Sequence, residues 1–253
     1  MDTLNIELKS GYALVQIDNG KVNAINTNLA RDLRDTFLDF DKKSEVRGIA
    51  LIGKPHCFSA GLDIMMMATE GIESIVEYWK TYMEALQAMV RFSKPFVCGI
   101  TGFAPAAATC VALCADYRIM GKGEKHVMGL NEFKMSLVIP EMMGDIYAYH
   151  LGEKAAWEAI QGARVFTAEE AVKVGLANEA VEVEVVVEKI EQRMHQMLKI
   201  LPATYTNSKT ILRKGLLKAV DRNIDAMLSD VRAHLEDPMT KKMFELFLSS
   251  LKK

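Results

Sequence analysis

An excess of charge of either sign is missing from this chain: 31 Lys and Arg stand against 33 Asp and Glu, a formal net charge of −2. So even a balance gives no footing for nucleic acid or for an anionic membrane surface. It does not exclude an anionic small molecule, since a local pocket need not follow the net charge. No apolar run approaches the ~20 residues of a membrane span, and the N-terminus lacks the basic-then-apolar order of a secretory signal. The expectation is therefore a cytoplasmic protein. Cysteines are few, and Cys57, Cys98, Cys110 and Cys114 sit in apolar contexts without paired metal-ligand spacings. Buried thiols and no metal are expected. His56 has no Ser or Cys arrangement around it and the other histidines are scattered, which argues against a hydrolytic triad. Internal repeats, low-complexity tracts and long linkers are absent.

What remains is an ordinary globular composition, half apolar and a quarter charged, in 253 residues, enough to bury a full core. Ile6 and Leu8, then Ala13, Val15 and Ile17, alternate about Lys9-Ser10-Gly11 and predict a hairpin. Leu29, Leu33, Phe37 and Phe40 recur at helical spacing behind the cap candidates Asn26-Thr27-Asn28. Apolar runs at 48–52 and 96–100 read as buried strands, separated by a helix marked by Ile75, Trp79, Tyr82, Leu86 and Met89. Pro105 is expected in the first turn of the next helix, where its missing N–H is unneeded. Tyr117 to Met120 and Val127 to Gly129 read as two more strands. Thr167-Ala168-Glu169-Glu170 is a capping-box pattern, with Gly175 where that helix should end. Beyond about residue 183 every signal is helical. The fold class is α/β, with a β/α core over 1–200 and a helical part over 201–253.

Two segments carry the chemistry. Cys57-Phe58-Ser59-Ala60-Gly61-Leu62-Asp63 and Gly102-Phe103-Ala104-Pro105-Ala106-Ala107-Ala108 each follow an apolar strand and turn through small residues. Small residues let backbone N–H groups approach a ligand closely, and a helix N-terminus favours negative charge. Two such turns can aim two donors at one oxygen, the geometry that holds an enolate.

These segments, together with Tyr78-Trp79-Lys80, Val111-Ala112-Leu113, Asp116-Tyr117-Arg118-Ile119 and Gly129-Leu130-Asn131-Glu132, resemble the crotonase, or enoyl-CoA hydratase/isomerase, superfamily. Within it the likeness is to the mitochondrial-type delta-3, delta-2-enoyl-CoA isomerases, and it runs along nearly the whole chain. The resemblance implies a crotonase-like spiral of ββα turns, and a C-terminal helical region used in assembly and in completing the CoA site. It also implies a homotrimer or hexamer and an acyl-CoA substrate. No cofactor is implied beyond the coenzyme A carried by that substrate.

It further implies roles. The oxyanion donors fall on the N–H groups of Leu62 and Ala107. Ala24, Ala60, Asp63, Ile64 and Phe247 fall at CoA-binding positions. Glu132 matches the catalytic glutamate, and partial burial would raise its pKa into the working range of a carboxyl that takes and returns a proton. Hydratases of the superfamily carry a second glutamate where this chain has Cys110. Adding water needs two carboxyls, whereas moving one proton between C2 and C4 needs one, so isomerase is favoured over hydratase. Two departures qualify the match. Ala106-Ala107-Ala108 replaces the usual glycines, which motivates the alternative of a catalytically silent acyl-CoA scaffold. Glu141 stands where dienoyl-CoA isomerases carry a second acid, although its dipole-favourable place near a helix N-terminus is the blander account. Asp145, one turn on, is expected to be solvated. Met65 to Met67 and the helix from Ile75 to Met89 are candidates to line the acyl pocket, with core packing as the competing account of both.

Overall fold

The computed structural model describes residues 2–251, with the side chains of residues 245, 247, 248, 250 and 251 outside the described set. The alternating apolar runs at the N-terminus pair as antiparallel β1 (Leu4–Leu8) and β2 (Ala13–Ile17). Asn26 then caps α1 (Thr27–Lys42), its side chain accepting from the Leu29 N–H at 3.0 Å. Leu29, Leu33, Phe37 and Phe40 bury along one face of that helix, as their spacing requires.

From there the chain repeats one unit three times, a strand, a second strand and then helix. The first copy is β3 (Ile49–Ile52), β4 (His56–Cys57), α2 (Ile64–Thr69) and α3 (Ile72–Arg91). The second is β5 (Phe96–Ile100), β6 (Gly102–Pro105) and α4 (Ala107–Leu113). The third is β7 (Tyr117–Lys122), β8 (Val127–Gly129), a 3₁₀ turn (Glu132–Met135) and α5 (Glu141–Leu151). There follow α6 (Glu153–Gln161), β9 (Phe166–Thr167), α7 (Ala168–Val174) and β10 (Glu179–Glu182). The chain ends in α8 (Val186–Met197), α9 (Pro202–Leu212), α10 (Lys214–Val220), α11 (Ile224–Glu236) and α12 (Pro238–Leu251).

The first strand of each unit joins a six-stranded sheet of order β1-β2-β3-β5-β7-β10, parallel except for the β1–β2 hairpin. The second joins a smaller sheet of order β4-β6-β8-β9. The chain thus spirals between two sheets. Every residue of β3 and β5 is buried, which is why both read as continuous apolar runs rather than alternating ones. One face of the large sheet meets α1 and α3. On the other, Ala50, Ile52, Val97 and Ile119 pack against Val186, Ile190 and Met194 of α8.

Thr167 forms the expected capping box with Glu170, and Gly175 ends α7 in the left-handed region. Pro105 is not in a helix. It closes β6, and α4 begins at Ala107 because Ala106 turns the chain at φ +55°. The short strands β4, β6, β9 and β10 have no counterpart in the sequence patterning, since two to four residues are too few to show a period.

Helix α9 is anchored by charge rather than by apolar burial, unlike α10 and α11, which bury Leu216, Val220, Met227 and Val231. No residue of α9 is buried. Instead Asp116, at the mouth of β7, receives the Tyr205 hydroxyl at 2.8 Å, the Lys209 ammonium at 2.9 Å and the Arg213 guanidinium. It also caps the Phe96 N–H at 2.9 Å. Lys209 is further held by the Lys94 carbonyl at 2.9 Å, and Arg213 by that of Cys114 at 3.0 Å. Burial pulls the Lys209 pKa down against the nearby Asp116 charge.

Candidate active site

The small sheet positions the site. β4, β6 and β8 run parallel, with Cys57 opposite Phe103 and Pro105 opposite Gly129, so the segments that follow them emerge at one end. Ligands in open α/β sheets bind at that carboxyl end. The segment after β4 carries Leu62, the one after β6 carries Ala107, and the one after β8 carries Glu132.

The first turn is built by cross-pairing. The 22–25 segment runs alongside 60–63: the Ala60 N–H donates to the Val22 carbonyl at 2.9 Å, Ile25 to Gly61 at 2.7 Å, and Asp63 to Ile25 at 3.1 Å. Ala24 is thereby brought beside Ala60, Asp63 and Ile64. The alternation leaves the Leu62 N–H facing the other way. Asn23, fully buried at φ +50°, locks the arrangement by donating to the carbonyls of Ile17 and Phe58, both at 3.1 Å. Asp63 caps α2, accepting from the Met65 and Met66 N–H groups.

Gly61 joins this turn to the next. It sits at φ +80°, and a Cβ there would lie 2.8 Å from the Pro105 carbonyl and 3.6 Å from the Ala107 nitrogen. Gly61→Ala is therefore expected to cost about 2 kcal/mol from the left-handed backbone alone, with the carbonyl clash adding to it. Urea denaturation checks this, and an unchanged midpoint would overturn it.

In the second turn Ala107 and Ala108 are helical, a conformation alanine adopts freely, and the strain falls on Ala106. Among the described residues neither the Leu62 nor the Ala107 N–H donates to another group. The Ala107 carbonyl is pinned by the buried Tyr82 hydroxyl at 2.8 Å. The Ala106 N–H donates to the Gly129 carbonyl at 2.8 Å, and the Gly129 N–H to the Thr109 hydroxyl at 2.7 Å. These bonds tie the second turn to the arm that carries Glu132.

Glu132 is fully buried, and neither carboxylate oxygen has a hydrogen-bond partner among the described residues. Desolvation pushes its pKa up to about 7, against a partial pull downward from the N–H groups of Glu132 and Asn131. At neutral pH such a carboxyl exchanges a proton readily in both directions. Cys110, one turn into α4, is buried near enough to Glu132 for the carboxylate to help raise its thiol pKa, behind the larger effect of burial.

Glu141 is placed differently. It opens α5 with its side chain 57% exposed, and Arg222 holds its carboxylate at 3.1 Å. The same guanidinium holds Asp145, which is ion-paired rather than simply solvated. Met66 and Met67 are buried but Met65 is exposed; Met67 and Ile75 line a cavity of about 250 Å³ beside the site. The side chain of Phe247 lies outside the described residues. His56 meets the ring of His126, with 3.4 Å between Nδ1 and Nε2, and no serine or cysteine. No cluster of potential metal ligands occurs among the described residues.

Sequence reasoning missed Asn23 and Tyr82. Tyr82 was visible as one position of an apolar helical stripe, where a phenol needs a partner that an aliphatic residue does not. Asn23 gave no signal of its own.

The model of the family described as enoyl-CoA hydratase/isomerase matches residues 7–247, and the chain belongs to that family. Among curated proteins it is similar to enoyl-CoA delta isomerase 1, mitochondrial, of Mus musculus. The two are 28% identical over 244 residues, covering 96% of this chain and 84% of that one. A probable enoyl-CoA hydratase of Mycobacterium avium is 31% identical over 176 residues, 68% of this chain and 66% of the relative. The crystal structure of human mitochondrial delta3-delta2-enoyl-CoA isomerase superposes with a TM-score of 0.93 at 25% identity, covering 99% of this chain and 98% of that one. The spiral of ββα turns is the crotonase fold. No helix among the described residues is long and apolar enough to cross a membrane. Relatives named as mitochondrial leave the cytoplasmic expectation unconfirmed.

Proposed function

We propose that this protein moves the double bond of a 3-enoyl-CoA to give the 2-enoyl-CoA, with Glu132 as the single proton shuttle. The observation that carries the reading is the unpartnered, buried Glu132 carboxyl with its pKa near 7, at the same sheet end as two turns with undonated N–H groups. The carboxylate takes a proton from C2, and the electrons of that C–H bond pass into the thioester as a dienolate. The Leu62 and Ala107 N–H groups hold the developing oxyanion; losing one such donor typically costs ~3 kcal/mol of barrier lowering. Glu132 then returns the same proton to C4, leaving the double bond between C2 and C3.

Cys110 supports isomerisation over hydration, since a buried thiol does not hold water as a carboxylate does. The helical conformation of Ala107 and Ala108 supports a working oxyanion hole over a silent scaffold. The substrate's CoA would run along Ala24, Ala60, Asp63 and Ile64. Exposed Leu201, Ile211 and Leu212 fit assembly through the helical region into a trimer or hexamer.

The test is incubation of the purified protein with a short 3-enoyl-CoA and identification of the product by chromatography and mass. The 2-enoyl isomer without added mass is expected; a gain of one water, or no change with binding confirmed, would overturn the reading. With its carboxylate turned to Arg222, Glu141 takes no proton in this scheme. Glu141→Gln is expected to keep kcat within about two-fold, because an exposed ion pair contributes little. A drop of a hundred-fold would instead favour a two-acid dienoyl isomerisation.

A further inference from the structure

Between the 3₁₀ turn that carries Glu132 and the start of α5 lies a short strap, residues 136–140, with no regular structure of its own. Ser136 opens it in the left-handed region at φ +55°, a conformation that is costly for a non-glycine residue and persists only where the surroundings impose it. Two bonds within the arm help to impose it: the Ser136 N–H donates to the Phe133 carbonyl and the Leu137 N–H to the Glu132 carbonyl, both at 3.2 Å. A further hold comes from 98 positions away in sequence. His234, in the last turn of α11, places its Nε2 3.1 Å from the Ser136 carbonyl oxygen and 3.2 Å from the Val138 nitrogen. One ring nitrogen meets only one of these partners at a time. Bearing hydrogen it donates to the carbonyl, and as a lone pair it accepts from the N–H. Either way the imidazole grips the strap beside Leu137.

Leu137 is what the grip positions. It is 5% exposed and walls the cavity of about 250 Å³ together with Met67, Ile75, Leu235 and Phe244. Backbone bonds join that cavity to both arms of the site. Leu137 is tied to Glu132 as above, and the Met67 N–H donates to the Asp63 carbonyl at 3.1 Å. Leu235 directly follows His234, so one turn of α11 supplies one wall of the cavity and fixes another. An apolar cavity of about 150 Å³ holds the six carbons of benzene, so this one has room for roughly eight carbons of an acyl tail.

We infer that His234 is a positioning residue for acyl-chain length: by holding the 136–138 strap it sets Leu137 against the tail of a medium-length acyl group, without touching the proton transfer at Glu132. The inference rests on the acyl-CoA reading of the site. A hexanoyl chain has two carbons past C4 and gains little from the Leu137 wall. A decanoyl chain has six and depends on it.

Calorimetric binding of saturated hexanoyl-CoA and decanoyl-CoA tests this apart from catalysis. His234→Leu, which removes the ring nitrogen, is expected to weaken decanoyl-CoA about ten-fold, the contact of roughly two methylenes, and hexanoyl-CoA by less than about two-fold. His234→Gln should restore wild-type affinity, because a carboxamide places an acceptor and a donor where Nε2 stands and can meet both partners. If the leucine variant does not fold, His234→Phe gives the same readout. Equal losses for the two ligands, no loss for either, or a glutamine variant as weak as the leucine one would overturn the inference. Turnover of 3-hexenoyl-CoA and 3-decenoyl-CoA is followed in parallel. The leucine variant should raise KM for the longer substrate alone and keep kcat within about two-fold, the signature of lost uniform binding; a fall in kcat for both substrates would count against it. Length-dependent binding that His234→Leu abolishes, without any turnover in the wild type, would sustain the role of His234 and overturn the isomerase reading.

Discussion

Glu132→Gln is expected to lower kcat by about a thousand-fold, the middle of the range for losing a general acid–base. The same substitution should stabilise the protein at alkaline pH. Burial raises the Glu132 pKa from 4.5 to about 7, so the folded state holds a proton that the unfolded chain has already released. That preference is fully present below pH 4.5 and is lost as the pH rises through 7. The loss amounts to about 3 kcal/mol, because each tenfold difference in proton affinity between the folded and unfolded states is worth about 1.4 kcal/mol. A glutamine stays neutral throughout. The variant and the wild type should therefore be of similar stability near pH 4.5, and the variant the more stable by up to about 3 kcal/mol at pH 9. Wild-type turnover should rise with pH through an apparent pKa near 7, since the carboxylate is the base. Urea denaturation at the two pH values and a pH–rate profile check both halves. A pH-independent stability difference would show that the proton sits elsewhere.

Asp116→Asn is expected to be the most damaging change outside the site. The Asp116 side chain is 8% exposed and balances Lys209 and Arg213, with Arg118 buried close by. Removing the negative charge leaves the enclosed Lys209 and Arg213 head groups and the buried Arg118 facing one another, and breaking a buried pair from one side costs about 3–5 kcal/mol, an upper range for these partly exposed residues. For a chain of this length that is a fall in melting temperature of roughly 10 °C. Because α9 has no buried residue of its own, the loss should be felt first at α9 and α10, read as faster amide exchange there than in α1 or α3. Uniform exchange across the molecule would count against the cluster as the anchor.

The sequence carried the frame and the catalytic carboxyl, but not the supports. Helices α1, α3 and α7 were legible because an apolar stripe, a cap and a left-handed glycine each leave a local mark. Strands β4 and β6 left none, although they bring Leu62 and Ala107 to the sheet end where β8 brings Glu132. Their pairing is a long-range event with no local period. The turn at Ala106 departs from the sequence pattern for a related reason: a proline before a small residue is the usual opening of a helix, and the long-range pairing of Pro105 with Gly129 keeps it in β6 instead. Glu132 was found through its neighbours in sequence. The outward setting of Glu141 depends on Arg222, which belongs to a distant element and could not be paired with it by spacing.

Ala106 also bears on how this chain can change. Its φ of +55° is a region glycine enters without penalty and alanine enters at about 1–3 kcal/mol. Alanine and glycine codons differ at a single base, so release of that strain is one point mutation away. Proteins commonly sit only a few kcal/mol above the stability they need. A reserve reachable in one step is therefore a source of mutational robustness. A lineage that takes the glycine gains room for a destabilising substitution in the acyl pocket, and with it a route to a new acyl specificity.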